Sequence, residues 1–477
     1  MVGSFVYFGG RFLSQARNIS WSAFASLGSA LLDIIKISVL ARILSPEEFG
    51  IFAIALVIYG FSQLFSESGI GNAIVSQKDI SPTQISMLFN FVVIVSAGIW
   101  LLGLLVSPIV SNFYQLPSLV EIIPFLLLGI PLAAGSRIFL AMMQKSLQMK
   151  EIAICTLVAK VLGVCAGLIA ALNGVGVYAL VVALLATNII QFFIAWYFVK
   201  NEFIFSRTIH WQEIEPTLSF SVYQLGEFNI NFFARNLDII LITKFLGVEV
   251  SGQYSVLKNL LSRMGDVIVS TFSRYFHPKL TASSDQAEQT IRYQEYLLMV
   301  ALFVCGAFYV LSINSTLFIE LVSGGTFMSA LSFFSVMCLW LAIRYITAPV
   351  STLWLVKLKP QIGVYWNLAV LLLISLTIYL SFDNHIVGVI KALTVLQVFL
   401  FITSLVLAFY LLNKPIRFEK LIFKISMIIG VFLALSAVHS KYIETFESIY
   451  FSVAYSALTG LTVLALSYLF YRKKINL

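Results

Sequence analysis

Thirteen charged side chains lie inside stretches of this 477-residue chain that are otherwise apolar. An ionisable residue within a hydrophobic span is energetically costly unless it faces a protein interior or a water-filled cavity, so each is a candidate functional residue. The basic members of this set are Lys36, Arg137, Lys160, Arg235, Lys258, Arg263, Arg344 and Lys391. The acidic members are Asp33, Glu67, Glu227, Asp238 and Asp266.

The spacing of these charges indicates two kinds of chemistry. An acid and a base stand three residues apart at 33/36, 235/238 and 263/266, so each pair shares a helix face and can partly neutralise itself without a ligand. Arg137 and Arg344 have no acid within a helical turn along the chain, and they require an anion from another helix or from a substrate. The planar donor fork of arginine suits phosphate better than lysine does.

We therefore predict a site for an anionic substrate and a second set of groups that act on it. The basic residues expected to bind the anion are Arg137, Arg344, Lys36, Arg235, Lys160, Lys258 and Arg263. The residues expected to hold a coupling ion or to serve as counter-charges are Asp33, Glu67, Glu227, Asp238 and Asp266.

Composition defines the elements that must position these charges. The chain is 60% hydrophobic and only 11% charged, whereas about a quarter of the residues of a soluble domain are charged. Apolar runs near the ~20 residues needed to cross a bilayer predict an all-α polytopic membrane protein. About fourteen spans are expected, at 19–41, 49–70, 83–110, 119–143, 151–172, 176–199, 217–243, 251–275, 292–315, 327–350, 361–381, 386–411, 421–440 and 447–471.

The lysine and arginine residues outside the spans predict the orientation. Nineteen of them fall on the side of the N-terminus, and only Arg42, Lys244 and Lys441 fall on the other. This bias places both termini in the cytoplasm, and the even number of spans agrees with it. The formal net charge of +8 thus reflects topology, and no nucleic-acid partner is implied.

An internal repeat suggests that the chain has two halves. The segment 31–52 reads LLDIIKISVLARILSPEEFGIF and returns 202 residues later without a gap, as Arg42, Leu44, Glu47, Gly50 and Phe52 align with Lys244, Leu246, Glu249, Gly252 and Tyr254. Repeats with charged groups at the membrane midplane are typical of transporters that alternate access around a central site.

Other signals argue against catalysis and against a bound cofactor. No GxxxxGK[ST] stretch is present, so the chain has no P-loop for nucleotide hydrolysis. The four cysteines lie in apolar runs without metal-ligand spacing. We therefore expect a transporter and not an enzyme, without a metal or cofactor, driven by H⁺ or Na⁺.

Residues 38–81 also resemble the N-terminal signature of a known family. The first motif is [AS]R-x-L-[ST]-P-E-[ED]-[FY]-G, here Ala41 to Gly50, and the second is F-x-E-x-G-[IL]-G-x-A-[IL]-V/I-[QS], here Phe65 to Ser76. Both motifs resemble those of the polysaccharide transporter family. That family comprises the Wzx-type flippases of lipid-linked oligosaccharides, within the multidrug/oligosaccharidyl-lipid/polysaccharide exporter superfamily.

The resemblance implies a fold and a cargo. It implies two pseudo-symmetric six-helix bundles around a V-shaped cavity, at 1–200 and 217–411, and two further C-terminal helices within 412–477. It also implies an undecaprenyl-diphosphate-linked glycan as cargo, such as an O-antigen, capsule or exopolysaccharide repeat unit, flipped across the bacterial inner membrane. A glycan polymerase and chain-length machinery would be partners.

Two alternatives stay open. A multidrug or organic-ion exporter of the same superfamily commonly has twelve spans and an acid-lined cavity, whereas bases outnumber acids in the spans here. A membrane glycan polymerase would need a sizeable polar loop, and the longest connections, about 200–216 and 276–291, are short.

Overall fold

The computed structural model describes residues 2–67, 70–77, 80–206, 210–283, 285–359 and 361–412, together with 458, 460 and 462. The side chains of residues 2–19, 67 and 216–228 lie outside that description, so the predicted Glu67 and Glu227 do too. The predicted spans at 421–440 and 447–471 also lie outside the described residues.

The first part of the chain is a succession of helices, most of which are long enough to cross a membrane. They are α1 (Val2–Leu40), α2 (Pro46–Glu67), α3 (Ile70–Ser76), α4 (Pro82–Tyr114), α5 (Leu119–Leu127), α6 (Gly129–Lys145), α7 (Met149–Leu172), α8 (Tyr178–Val199) and α9 (Trp211–Leu246).

Helices continue to residue 412, interrupted by two short 3-10 turns. They are α10 (Val248–Thr281), α11 (Gln286–Ile313), α12 (Ser315–Ser323), η1 (Met328–Ala330), α13 (Leu331–Thr347), α14 (Pro349–Val356), α15 (Gln361–Ser381), η2 (Phe382–Asn384) and α16 (His385–Leu412). The described residues contain no strand, which confirms the predicted all-α class.

The membrane character of the chain follows from the length and apolarity of these helices. Nine stretches of the described residues are long and apolar enough to cross a bilayer, and the last, Gln361–Leu412, covers two predicted spans. The predicted seventh and eighth spans correspond to α9 and α10, whose 36 and 34 residues give lengths of about 50 Å despite polar sequences. The total of fourteen stays a prediction.

Contacts divide the chain into a first unit, Met1–Gly252, and a second unit, Gln253–Leu477. Ser206, in the connection before α9, is hydrogen-bonded to two residues of α4, and this connection belongs to the first unit. The amide of Ser206 donates to Ser86 Oγ at 2.7 Å, and Asn90 Nδ2 donates to Ser206 O at 2.5 Å. The six-helix bundles predicted at 1–200 and 217–411 stay a prediction.

Helices α7 and α8 approach closely through a ladder of small residues on α7. Ala159, Gly163, Gly167 and Ala171 are buried and recur every four residues, so they share one face. A Cβ added at Gly163 would lie 1.9 Å from Thr187 Oγ1, and one added at Gly167 would lie 2.5 Å from the Cβ of Ala183. Because Gly163 and Gly167 have no side chain, the backbones of α7 and α8 can pack closely. This packing brings Lys160 of α7 near Thr187 and Asn188 of α8.

The turn between α1 and α2 is closed by a reciprocal cap. Glu48 Oε2 accepts from the Ser45 amide at 2.7 Å, and the Glu48 amide donates to Ser45 Oγ at 3.3 Å. Pro46 occupies the first helical position, where its missing N–H leaves no intrahelical bond unmade. The Ser-Pro-Glu-Glu sequence thus starts α2 by local chemistry alone.

The two segments of the predicted repeat contact each other through their backbones within the first unit, while the repeat itself stays a prediction. A Cβ added at Gly50 would lie 2.0 Å from Val248 O, and one added at Gly252 would lie 1.8 Å from Pro46 O. At the offset of 202 residues Val248 aligns with Pro46 and Gly252 with Gly50, so Gly50 meets the counterpart of Pro46, and Pro46 meets the counterpart of Gly50. The first turns of α2 and α10 therefore touch main chain to main chain.

Candidate functional site

Asp33 is the centre of a charged cluster within the first unit. Lys160 on α7 donates to Asp33 Oδ2 at 2.7 Å, and Lys36 Nζ lies 3.9 Å from Asp33 Oδ1. Lys160 also donates to the carbonyl of Ser29 at 3.3 Å, one turn earlier on α1. The side chains of Asp33, Lys160 and Lys36 are 15%, 24% and 33% exposed, so the cluster is largely shielded by protein.

The cluster borders a cavity of about 80 Å³ between α1, α7 and α8. Thr187 and Asn188 of α8 complete its polar lining. Asn188 Nδ2 donates to the hydroxyl of Tyr59 on α2 at 2.8 Å, so α2 also supports the site. A water molecule needs roughly 10–15 Å³ of such volume, and the cavity therefore has room for several waters or a small ion but not for a sugar.

Two lysines and one carboxylate give this cluster an excess of positive charge. The 2.7 Å contact is a charge-assisted hydrogen bond, the stronger kind, and it ties α1 to α7. Protonation of Asp33, or binding of a cation beside it, would weaken this bond. The arrangement can therefore convert a change in ion occupancy into a change in how α1 and α7 interact.

Sequence reasoning predicted Asp33, Lys36 and Lys160 but missed Tyr59, Thr187 and Asn188. Asn188 is the one of these three that a sequence signal could have identified, because an amide inside the apolar α8 needs a polar partner. The structure places the other acid–base pair of the first unit elsewhere on α9. Asp238 is 2% exposed and accepts the Ile239 amide at 2.9 Å, while exposed Arg235 donates to Asn231 Oδ1 at 3.1 Å.

Arg137 occupies an uncovered position on an otherwise buried helix. Its neighbours Ser136 and Ile138 are each 1% exposed, whereas Arg137 is exposed on α6. An exposed arginine in a helix of the membrane region is stable only where water or an anion reaches it. This position is compatible with the predicted contact to an anionic substrate.

In the second unit, two of the predicted basic residues lie over the rings of an aromatic pair. Lys258 Nζ lies 5.9 Å from the ring centre of Tyr254, and Arg344 Cζ lies 5.8 Å from that of Trp340. The two rings stack with centroids 6.2 Å apart at 29°. Trp340 is 2% exposed and Tyr254 is fully buried, so the rings pack inside the unit and support the cations.

Arg263 and Asp266 are exposed on α10, and α13 contacts this turn through a tyrosine. The Tyr345 hydroxyl lies 2.8 Å from Ser262 O and 3.2 Å from Asp266 Oδ1. The three predicted bases of this unit, Lys258, Arg263 and Arg344, are thus carried by α10 and α13. Among the described residues no three histidine, cysteine or acidic side chains cluster as a metal site would require.

The fold places the chain in a known class of membrane proteins. It superposes on the structure of "Lipid II flippase MurJ, inward closed conformation" with a TM-score of 0.72, covering 95% of this chain and 99% of that one, at 14% identity. Identity this low shows the fold alone. The chain is a multi-pass membrane protein with this fold.

Sequence similarity identifies the family. Residues 39–332 match the family described as "Polysaccharide biosynthesis protein", more than half of the chain, and the chain belongs to that family. The Lipopolysaccharide biosynthesis protein WzxC of Escherichia coli (strain K12) is 23% identical over 354 residues, 73% of this chain and 71% of the relative. The Succinoglycan biosynthesis transport protein ExoT of Rhizobium meliloti (strain 1021) is 25% identical over 266 residues, 55% of this chain and 53% of the relative.

Proposed function

We propose that this protein is a flippase that moves an undecaprenyl-diphosphate-linked oligosaccharide from the cytoplasmic to the periplasmic leaflet of the bacterial inner membrane. The observation that carries the proposal is membership of the polysaccharide biosynthesis family by a chain with a flippase fold. The cargo would be a repeat unit for O-antigen, capsule or exopolysaccharide. A glycan polymerase and chain-length machinery would act next on the flipped unit.

In this proposal the diphosphate of the cargo is the anion that the intramembrane bases bind. Arg137 in the first unit and Arg344 in the second hold guanidinium groups, which can bind phosphate oxygens through two parallel hydrogen bonds. Arg235, Arg263, Lys36, Lys160 and Lys258 would add positive charge along the path. The lipid tail stays in the bilayer, so the protein needs to shield only the polar headgroup.

The Asp33 cluster is the proposed coupling site of the first unit. Its cavity of about 80 Å³ is too small for a sugar but large enough for H⁺ transfer through water or for a Na⁺ ion. Loading Asp33 with either ion would weaken its bond to Lys160 and release the ammonium group. The transport cycle would then be driven by an ion gradient and not by a covalent reaction of the protein.

The positive-inside bias supports cytoplasmic placement of both termini.

A multidrug exporter is the second candidate function, because it belongs to the same superfamily as the flippases. The family match favours the glycan cargo. A membrane polymerase is disfavoured since the connections between described helices are short, the longest reaching from Lys200 to His210.

Deletion of the gene from its host tests the function directly. We expect complete undecaprenyl-diphosphate-linked repeat units to accumulate, measured by mass spectrometry, and to be protected from an enzyme that modifies glycans in the periplasm. Units that are accessible but unpolymerised would instead indicate a polymerase. Unchanged pools would contradict the flippase and favour small-molecule export.

Alanine substitution of Arg137 or Arg344 should abolish transport while the protein still folds and inserts. Each change removes a fork of donors for phosphate, and a hydrogen bond to a charged group contributes about 1.5–3 kcal/mol. Transport is measured as glycan flipped per unit of membrane-inserted protein. Lysine variants should keep part of the activity because they keep the charge.

A matched control removes a basic residue elsewhere on the chain. Lys200 is exposed at the end of α8, where its Nζ lies 4.4 Å from the ring centre of Tyr197. Lys200→Ala should transport normally. Normal transport by both arginine variants at normal protein levels would rule out the diphosphate-binding role.

A further inference from the structure

We propose that Tyr345 is a positioning residue for the anion site of the second unit, and that its hydroxyl fixes Asp266 of α10 against α13 beside Arg344. The inference rests on the proposed function, since that function supplies the anion. Tyr345 itself need not touch the cargo. It acts by holding the helix turn that carries Arg263 and Asp266 in register with the helix that carries Arg344.

The ring of Tyr345 packs directly against Gly265, where any larger residue would collide with it. A Cβ added at Gly265 would lie 2.2 Å from Cε2 of the ring and within 2.5 Å of two more ring atoms. The ring also stacks on Phe308 of α11, with centroids 6.1 Å apart at 28°. Tyr345 is therefore held between two helices, and its hydroxyl has a defined position.

The hydroxyl meets two acceptors on one turn of α10. It lies 2.8 Å from Ser262 O and 3.2 Å from Asp266 Oδ1, and a phenol has a single proton to donate. An ionised Asp266 competes with the carbonyl for that proton. Either way, the tyrosine oxygen ties the Ser262–Asp266 turn to α13.

Arg344 directly precedes Tyr345 on α13, and a separate aromatic contact supports it. Its guanidinium lies 5.8 Å from the ring centre of Trp340, which stacks on Tyr254 of α10. Tyr345 and Trp340 thus join α13 to α10 at two levels, about one and a half turns apart and on either side of the arginine in sequence. This double attachment sets the distance between Arg344 and the Arg263–Asp266 turn.

We call the contacts of the Tyr345 hydroxyl with Ser262 and Asp266 the tether. Tyr345→Phe keeps the ring and removes the tether. Because small displacements of binding groups have large effects, we expect the purified protein to bind undecaprenyl diphosphate about tenfold more weakly, measured by native mass spectrometry in detergent micelles. Asp266→Ala should have the same effect. Asp266→Asn should restore binding, since the amide oxygen accepts the same hydrogen bond, but it should not do so in combination with Tyr345→Phe.

Two further variants test whether the position of the Tyr345 ring matters and whether loss of an unrelated hydroxyl does not. Gly265→Ala displaces the ring and should weaken binding as Tyr345→Phe does. Tyr365→Phe removes the hydroxyl of a tyrosine that is 72% exposed on α15, and it should bind like the wild type. A double-mutant cycle of thermal unfolding at positions 345 and 266 measures the tether without any ligand, because contacting residues are non-additive.

Each result has a definite meaning. Tight binding by Tyr345→Phe, equal losses for Asp266→Asn and Asp266→Ala, or additive unfolding effects at 345 and 266 would overturn the positioning role. Absence of undecaprenyl diphosphate binding by the wild type, alongside a non-additive cycle, would overturn the proposed cargo and leave the tether established.

Discussion

Gly252→Ala is expected to reduce transport at least about tenfold. Its Cβ would lie 1.8 Å from Pro46 O and 2.8 Å from the amide nitrogen of Gly50, and neither atom belongs to a side chain that could rotate away. The first turns of α2 and α10 would have to separate, so the variant loses the conformation in which these two turns touch. Overpacking of this kind costs about 1–3 kcal/mol or more, and an alternating-access cycle that lacks one of its states cannot turn over.

The measurement is flipping of glycan per inserted protein, with thermal unfolding of the purified variant beside it. We expect transport to fall at least about tenfold, in line with an overpacking cost above roughly 1.4 kcal/mol. Gly50→Ala should behave alike, because its Cβ would lie 2.0 Å from Val248 O.

Gly98 provides the matched control for both glycine variants. This glycine of α4 has nothing within 4 Å of an added Cβ, so Gly98→Ala should be active and at least as stable as the wild type. Wild-type activity of Gly252→Ala would show that the main-chain contact is not part of the cycle.

The second large effect is expected at the Asp33 cluster, and it should be asymmetric. Asp33→Asn leaves the ammonium groups of Lys160 and Lys36 without the carboxylate that lies 2.7 Å and 3.9 Å from them. Lys160→Met leaves Asp33 with Lys36 still beside it. Breaking one partner of a buried pair costs about 3–5 kcal/mol, and partial exposure reduces this figure. We therefore expect Asp33→Asn to be the more damaging change.

Transport should also lose its dependence on the driving ion in Asp33→Asn. The measurement compares flipping in proteoliposomes with and without an imposed H⁺ or Na⁺ gradient. The double variant Asp33→Asn/Lys160→Met should recover thermal stability relative to Asp33→Asn alone, because both charges of the 2.7 Å pair are then absent. Transport should not recover with it.

Asp383 in η2 is exposed and supplies the control carboxylate. Asp383→Asn should keep both transport and its response to the gradient. An unaltered gradient response in Asp33→Asn would exclude Asp33 as a coupling residue and direct attention to Asp238 or Asp266.

The all-α membrane architecture could be predicted because its causes are local in sequence. A run of about twenty apolar residues is driven into the bilayer and made helical by its own composition, whatever the rest of the chain does. The start of α2 is equally local, since Ser45, Pro46 and Glu48 form the cap among themselves. The contact between Asp33 and Lys36 follows from helical periodicity, and the structure shows it at 3.9 Å.

The partners of the intramembrane charges could not be predicted, because they come from distant parts of the chain. Lys160 is 127 residues from Asp33, and Tyr345 is 79 residues from Asp266. Helix packing selects such partners, and it depends on small side chains such as Gly163 and Gly265 that carry no charge signal. The similarity between the segments at 31–52 and 233–254 can be found in the sequence, but the contact between them at Gly50 and Gly252 depends on the tertiary fold.

The sequence by itself determined that this chain crosses a membrane in helices, carries basic groups within them and belongs with polysaccharide transporters. Those properties depend on composition, on helical spacing and on the motifs between Ala41 and Ser76. Tertiary structure alone decided which charges are held together, which rings support them and where the contacts divide the chain, between Gly252 and Gln253. The reason is physical: hydrophobic insertion acts on each segment separately, whereas a charge inside the membrane is stabilised by whichever partner packing brings within a few ångströms.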